Sequence, residues 1–414
     1  MKQMQRVLAL LIAPALFLAL AGCGGTSTGG DDAPDYRGQT LTVLYPSGPY
    51  ADAARSIASE FEAGTAAKLK VVDVSRDELY DAIASDTLGQ YGAVLMPASW
   101  DGAFAERMAD LGGYLAEVDE DSDMVLDRFI PRVLENCGTW EGRVHGIPAA
   151  ASPWMLAFRS DLLPGGPDSA WEALAKQAAY SGSVLGGAED LAGLFKCMLW
   201  SLGGELADVD WQIAVDSPEA RQALELLVSM NWSAQNRGEA TRAFLDGSSA
   251  LCLAWPDPTI ARDGDDPFLS QAAGNWAIAS LPQGGVLLDA WDIAIPAASE
   301  QQDLAWEWIQ LYAKYENQVR FYEEYGILSP RAAFWERDGV WGGGLEPTRA
   351  ALDTANPGWR VAASVEADAL LDRELNLFLS GTQDLDATLS HLDAGLREAL
   401  AANPIPRGVL NQNR

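Results

Sequence analysis

The sequence predicts an α/β fold with two hydrophobic cores. Strand-like apolar runs alternate with helix-like amphipathic segments, which is the pattern of βαβ units. The chain has 414 residues, and the 392 that follow an apolar leader are enough for two cores. Beyond the leader, no apolar stretch approaches the length of a spanning helix, so we expect a folded body outside the bilayer.

The first part of that body is predicted to contain three strands, each followed by a helix. β-branched and aromatic residues fill the strand segments, and the first helix carries apolar residues at helical spacing. This order predicts a mainly parallel sheet, with a ligand crevice beyond the carboxyl ends of its strands. The segments are Thr40–Tyr45, Tyr50–Phe61, Leu69–Val74, Arg76–Ala84, Ala93–Met96 and a third helix through Phe104 and Met108.

The leader, residues 1–22, has the layout of a secretory signal. Lys2 and Arg6 form a basic head, an apolar run follows, and small residues precede Cys23. Residues 20–23, Leu-Ala-Gly-Cys, resemble the bacterial lipobox, in which a diacylglycerol is attached to the cysteine thiol. We therefore expect Cys23 to be a lipid anchor to the cell membrane, and residues 23–37, rich in Gly, Ser and Thr, to be a flexible tether. The alternative is an ordinary secretory signal with an incidental cysteine.

Composition restricts the possible functions. The net charge of −31 argues against nucleic-acid binding, because such a surface repels phosphates. Beyond Cys23, the cysteines Cys137, Cys197 and Cys252 are too few and too widely spaced for a disulfide framework, although one disulfide remains open. The only histidines, at positions 145 and 391, have no ligand-like neighbours in the sequence, so we expect no metal or cofactor.

The second part of the chain is predicted to contain a hairpin, further helices and short strands. The hairpin turns at Glu141-Gly142, and chain crossings between the two cores are expected near 148–154, 285–292 and 328–331. The remaining predicted strands are Ala250–Trp255, Trp276–Leu281 and Val286–Ile295, and the helices are Trp171–Ala178, Ala188–Trp200, Pro218–Met230, Gln302–Tyr312, Arg349–Thr354, Ala362–Leu379 and Leu385–Ala401.

The order of several weak motifs resembles a known family. The segments EFEAGT, LKVVDV, DELYDAIASDT, YGAVLMPASW, LGGYLAEVDE, DRFIPRVLENCGTWEGRVHGIPAA and PWMLAFRSDLL follow one another as in family 1 extracellular solute-binding proteins of ABC importers, the group that includes maltose-binding protein. The resemblance covers nearly the whole chain after the leader, and the order of the pieces carries it. It implies a two-lobed periplasmic-binding-protein fold, type II-like, with a hinge between the lobes.

The resemblance also implies domain bounds, a ligand class and partners. Lobe one would comprise residues 38–150 and 286–328, and lobe two residues 151–285 and 329–405. A monomer outside the cytoplasm would bind a small solute, expected to be a carbohydrate, between the lobes and deliver it to the permease subunits of an ABC transporter.

Aromatic residues beside acids mark the expected binding site. A sugar ring stacks on Trp or Tyr, while carboxylates and Arg bind its hydroxyls. Trp100-Asp101, Trp255-Asp257 and Trp291-Asp292 lie at predicted strand ends or crossings. The alternative for each tryptophan is a packing role in a core. The full set of predicted ligand-binding residues is Tyr45, Ser47, Trp100, Asp101, Trp154, Trp255, Asp257, Trp291, Asp292 and Arg331.

The sequence leaves other functional classes open. The sequence has no G-x-S-x-G, H-E-x-x-H or phosphate-loop motif, so we predict that the protein is not an enzyme. Paired carboxylates of a glycosidase leave no spacing rule, so an anchored carbohydrate-active enzyme is one rival. A binding protein for another solute such as a polyamine, or an anchored scaffold without a small ligand, are the others.

Overall fold

The computed structural model describes residues 36–181, 183, 185–230, 236–254, 259–337, 345–403 and 405. Cys23, the predicted anchor, and Trp255 and Asp257, two predicted ligand contacts, lie outside these ranges. The strands are β1 (Thr40–Pro46), β2 (Lys68–Val74), β3 (Ala93–Pro97), β4 (Thr139–Trp140), β5 (Arg143–Val144), β6 (Gly146–Pro153), β7 (Met155–Arg159), β8 (Leu251–Leu253), β9 (Trp276–Ser280) and β10 (Leu288–Ala294).

Helices cover both sides of these strands. Within the described ranges, no helix combines the length and the apolar character needed to cross a bilayer. The helices are α1 (Pro49–Ser56), α2 (Ala58–Thr65), α3 (Arg76–Ala84), α4 (Asp101–Phe104), α5 (Gly112–Ala116), α6 (Pro131–Asn136), α7 (Trp171–Ser181), α8 (Leu191–Ser201), α9 (Pro218–Ser229), α10 (Arg237–Leu245), α11 (Thr259–Asp263), α12 (Gln302–Ala313), α13 (Tyr315–Tyr325), α14 (Leu345–Thr354), α15 (Ser364–Leu379) and α16 (Leu385–Ala402).

The larger sheet has five strands in the order β2-β1-β3-β10-β6. β1 pairs in parallel with β2 and β3, as the alternating pattern predicts. β10 runs antiparallel to both β3 and β6, so the sheet is mixed rather than mainly parallel. The prediction missed this direction because β10 is not part of a βαβ unit: it returns to the sheet from the distant second core.

Two large hydrophobic cores lie on either side of the chain crossings. One core packs the five-stranded sheet against α1, α2 and α12. The other packs an antiparallel sheet, β8-β7-β9, against helices that include α7, α8, α9 and α15. Trp154 is the single residue between β6 of the first sheet and β7 of the second, which is the position of the first predicted crossing. The residue bounds of the two lobes stay a prediction.

Local sequence explains most of the elements, and one predicted helix needs correction. Glu141 and Gly142 both have positive φ, at 48° and 77°, which is the two-residue hairpin turn that Glu-Gly predicts. The predicted helix Tyr50–Phe61 is two helices, because Ile57 leaves helical geometry with ψ of 4°. Helices α5, α6, α10, α11 and α13 were not predicted. Helix α10 begins after an Asn236 cap, whose side chain accepts from Glu239 N–H.

Candidate functional site

A cleft of about 800 Å³ opens between the two sheets. The ends of β1 and β2 and the start of α3 form one wall, and α8, α15 and residues 357–359 form the other. Aromatic side chains line both walls. They are Tyr50, Tyr80, Trp100, Trp154, Trp291 and Trp359.

Two of these tryptophans hold an arginine at the cleft surface. The guanidinium carbon of Arg76 lies 5.4 Å from the ring centroid of Trp100 and 5.6 Å from that of Trp291. Arg76 is the first residue of α3. Ser75 caps the N-terminus of this helix and forms a capping box with Glu78. Arg76 makes no hydrogen bond or ion pair with another described residue, so its N–H groups remain available in the cleft.

Trp100 and Trp291 are only 4% and 6% exposed, and another aromatic ring packs against each of them. Tyr80 meets Trp100 edge-on at 5.2 Å between ring centroids, and Tyr50 lies 5.1 Å from Trp291. The two tryptophans therefore border the cleft and are packed in the protein at the same time, so the ligand-binding and packing interpretations both apply to them.

Trp154 and Trp359 extend the aromatic lining toward the second core. A Cβ atom at Gly193 of α8 would lie 2.3 Å from the Trp154 ring, so the ring position requires glycine there. Trp359 is half-buried, and its ring lies 5.5 Å from that of Trp211. Of the cleft tryptophans, Trp359 is the most exposed to a solute.

Most charged groups of the second wall are already paired within the protein. Lys196 Nζ lies 2.8 Å from Asp368 Oδ1. Arg237 donates from Nε and Nη2 to Asp190 Oδ1, at 2.8 and 2.5 Å. Asp372 accepts from Ala192 N–H at 3.1 Å, and burial raises the pKa of its carboxyl to about 6.

Asp289 is the carboxylate of β10 that lines the cleft. Burial raises its pKa, while Arg76 and Arg237 act in the opposite direction. Burial likewise raises the pKa of Tyr50 well above its ordinary value, so its phenol stays neutral. The cleft thus offers a guanidinium, a carboxyl, a phenol and several aromatic rings, which together suit a small polar solute with apolar faces.

The structure separates the predicted ligand-binding residues into two groups. Ser47, Trp100, Trp154 and Trp291 line the cleft. The other four described residues lie in the interior. They are Tyr45, Asp101, Asp292 and Arg331.

Tyr45 and Arg331 have protein partners that explain their places in the interior. Tyr45 lies in the first core, where its hydroxyl accepts from Trp308. Arg331 donates from Nε to Ala313 O at 2.6 Å, and its guanidinium lies 4.8 Å from the Phe129 ring. These contacts hold both side chains within the protein, and their role as solute contacts stays a prediction.

Asp101 and Asp292 belong to a buried cluster with His145 behind the cleft. One ligand-type atom from each of the three lies within 4.8 Å of the others, a grouping that could suit a metal ion. The guanidinium of Arg360 lies 2.5 Å from Asp101 Oδ2, however, and its charge opposes a divalent cation at this place. We therefore do not assign the cluster as a metal site.

Several lining residues were missed from the sequence. Arg76 follows the end of β2, so the rule that ligands meet strand ends could have indicated it. Arg237, Lys196 and Asp372 come from helices of the second core, and nothing in their local sequence distinguishes them from solvated helix faces. The cysteines Cys137, Cys197 and Cys252 are all buried, and none of the three is in a disulfide.

Comparisons with known proteins agree with this fold. A protein of Sinorhizobium fredii named "Probable amino-acid ABC transporter periplasmic-binding protein" is 23% identical over 65% of this chain and 68% of its own length. A solute-binding protein of Agrobacterium radiobacter in complex with ribitol has a TM-score of 0.78 at 22% identity, over 89% of this chain and all of the other. Maltose-bound MalE3 of T. maritima gives 0.75 at 20% identity, over 87% and 99%.

At these identities the structural matches establish the fold, which confirms the prediction of a two-lobed solute-binding architecture. The sequence profile described as "Bacterial extracellular solute-binding protein" matches residues 56–341, well over half of the chain. Together with the cleft, this match identifies a receptor that binds a solute. The chain belongs to the bacterial extracellular solute-binding proteins.

Proposed function

We propose that the protein is the lipid-anchored receptor of an ABC importer and that it binds a sugar or polyol in the cleft. The observation that carries the proposal is the aromatic lining around Arg76, whose N–H groups have no partner among the described residues. Aromatic rings remove the C–H faces of a polyhydroxylated solute from water, and a guanidinium donates to neighbouring hydroxyl pairs. Cys23 would anchor the receptor outside the cytoplasm.

The similar structures support the solute class. The proteins compared above were solved with ribitol and with maltose, and both ligands combine hydroxyl rims with apolar C–H faces. We propose Ser47, Arg76, Trp100, Trp154, Trp291 and Trp359 as the solute contacts, with Asp289 accepting a hydrogen bond from a solute hydroxyl.

The proposed mechanism is closure of lobe two, residues 151–285 and 329–405, on lobe one, residues 38–150 and 286–328. A solute that touches both walls binds the closed state better than the open state, so it shifts the population toward closure. The closed monomer would then dock on the permease subunits. No step of this cycle changes the solute chemically, which distinguishes the receptor from a carbohydrate-active enzyme.

A second candidate solute is an amino acid. The specific observation that favours it is the opposite charge of Arg76 and Asp289, which interact electrostatically at one end of the cleft. A zwitterion could place its carboxylate on Arg76 and its ammonium group on Asp289. The relative from Sinorhizobium fredii carries an amino-acid transporter name, which supports including this class in the test.

The test is a thermal-shift screen followed by calorimetry and product analysis. The panel should contain ribitol, D-mannitol, maltose, amino acids and polyamines. A solute present at 100 times its Kd stabilises the folded state by about 2.7 kcal/mol, which raises the melting temperature. A polyol or sugar that shifts the melting temperature and is recovered unchanged supports the proposal. Shifts only with amino acids or polyamines, or hydrolysis of maltose, would overturn it.

A further inference from the structure

Three tryptophans of the cleft are each followed in the chain by a charged residue of the buried cluster. The aromatic residue faces the cleft and the next residue lies behind it. The lining of the cleft and the buried cluster are therefore joined by single peptide bonds. The three pairs are Trp100 with Asp101, Trp291 with Asp292, and Trp359 with Arg360.

Asp101 is well supplied with hydrogen-bond donors. Its Oδ1 lies 3.2 Å from His145 Nε2. Its Oδ2 accepts from Arg360 Nη2 at 2.5 Å and from Gly138 N–H at 3.3 Å. Burial opposes ionisation, but Arg360 and His145 outweigh it and hold the pKa of Asp101 below its usual range. Asp101 is therefore the anion of the cluster.

Asp292 has the opposite surroundings. It is fully buried, and neither of its oxygens accepts a hydrogen bond from a described group. A Cβ atom at Gly146 would lie 2.0 Å from its Oδ1, so the neighbouring backbone is packed directly against the carboxyl. Burial, and after it the negative charge of Asp101, raises the pKa of Asp292 well above its ordinary value.

One proton would balance the charge of the cluster. Two carboxylates and Arg360 would leave one negative charge away from solvent, which is costly. The Nδ1 atom of His145 has no hydrogen-bond partner among the described residues, so the structure shows no acceptor for an N–H at that atom. A proton on Asp292 removes the excess charge and supplies a hydrogen bond to Asp101 without that cost.

The groups that face the pair come from several elements. Cys137 lies at the end of α6 and Asp289 lies on β10, and neither carries a positive charge that could replace the proton. The Cys137 thiol is neutral, because burial raises its pKa and the charges of Asp292 and Asp101 raise it further. The titratable and charged groups around Asp292 are Asp101, Cys137, His145, Asp289 and Arg360.

We propose that Asp101 and Asp292 share one proton, and that with Arg360 they form a positioning cluster for the cleft tryptophans. The proposal rests on the proposed function, because it takes the cleft as the solute site. Two further hydrogen bonds join the segment after Trp359 to the segment around Trp100. Gly102 N–H donates to Arg360 O at 2.7 Å, and Ser364 Oγ donates to Ser99 O at 2.5 Å. Loss of the proton separates the two carboxylates and displaces the attached rings.

The sign of the pH effect follows from the raised pKa of Asp292. Its contribution to stability is fully present below the ordinary aspartate pKa, near 4, and is lost as pH rises through the raised value. Asn at this position resembles the protonated acid at every pH. Asp292→Asn should therefore flatten the dependence of stability on pH, whereas Asp101→Asn removes the anion that Arg360 needs.

The test measures melting temperature and near-UV circular dichroism of the solute-free protein at pH 5, 7 and 9. The variants are Asp292→Asn, Asp101→Asn and Asp86→Asn, the last an exposed control outside the cleft. We expect the wild type and Asp86→Asn to lose melting temperature and aromatic dichroism between pH 5 and 9. Asp292→Asn should lose less and melt about 2 °C or more above the wild type at pH 9. Asp101→Asn should melt lower at every pH.

Two results would overturn the proposal. Equal pH slopes of the wild type and Asp292→Asn, or a lower melting temperature of Asp292→Asn throughout, would show that Asp292 does not carry the proton. A pH-dependent melting temperature with constant aromatic dichroism would show that the proton does not position the tryptophans. A solute panel without binding would contradict the proposed function but leave these solute-free comparisons interpretable.

Discussion

Trp308 of α12 donates from its indole N–H to the hydroxyl of Tyr45 on β1, over 3.0 Å, inside the first core. Both side chains are fully buried, and burial raises the pKa of Tyr45 well above its ordinary value. Tyr45→Phe should destabilise the protein by about 1 kcal/mol, because Trp308 loses its acceptor. Solute affinity should not change. Urea unfolding measures the change in stability, and calorimetry measures the solute affinity. A large loss of affinity would indicate that Tyr45 contacts the solute.

The cleft tryptophans should differ from one another when they are replaced. Trp359→Ala should weaken solute binding about tenfold with a small loss of stability, because the ring is only half-buried. Trp100→Ala and Trp291→Ala should lower both affinity and stability, because these rings are also packed. Calorimetric titration and melting curves of each variant measure the two effects.

Trp171 is the matched control for these variants. It is fully buried in the second core, where its indole N–H donates to Ser201 Oγ at 2.6 Å. Trp171→Ala should cost about 3–5 kcal/mol of stability and leave affinity unchanged in the folded fraction. Unchanged affinity in all three cleft variants would contradict the assignment of the cleft as the solute site.

Breaking the Arg237–Asp190 pair should be costly, because Asp190 is fully buried. Arg237→Met leaves that carboxylate without its guanidinium, and we expect a loss of about 3–5 kcal/mol near pH 7. The loss should be smaller at pH 5, where Asp190 takes up a proton more readily, since burial already raises its pKa. Urea unfolding at both pH values is the measurement. The double variant with Asp190→Asn should recover part of the stability.

Asp372 should make stability fall between pH 4 and 7. Burial raises its pKa to about 6, so the folded state holds a proton that the unfolded state releases near pH 4. Its contribution is present below pH 4 and lost as pH rises through 6. Asp372→Asn should remove this part of the pH dependence in melting curves, whereas Asp384→Asn, at an exposed helix cap, should leave it in place. Identical profiles for the wild type and Asp372→Asn would contradict the expectation.

The anchor can be tested independently of the fold. Cys23→Ala removes the only thiol of the lipobox-like segment, so the protein should appear in the medium or periplasm instead of the membrane fraction. Detergent phase partitioning distinguishes the two forms. A Cys23→Ala variant that still partitions into detergent like the wild type would rule out the lipid at this position.

The succession of strands and helices could be predicted because each element carries its own periodicity. The alternation of β1, α3 and β3 with their turns is visible in the apolar pattern alone. The antiparallel direction of β10 could not be predicted, because it depends on how the chain returns from the second core.

Only part of the candidate site could be predicted, because the direction in which each side chain points depends on the folded strand. Trp291 and Asp292 were expected to meet the same solute, but neighbouring residues of a strand point to opposite faces. Trp291 therefore borders the cleft while Asp292 lies behind it. Arg76 was missed because its importance comes from the two rings that it covers, and those rings are distant in sequence.

The peptide bonds that join cleft tryptophans to buried ions have a consequence for redesign of the receptor. A change at position 100 or 291 that enlarges the cleft should also move the neighbouring aspartate, so we expect altered specificity at these two positions to be coupled to loss of folded protein. Trp154 and Arg76 have no such neighbour, since Met155 and Asp77 lie outside the cluster. Libraries for a new solute should therefore vary positions 76 and 154 and leave Trp100-Asp101 and Trp291-Asp292 intact.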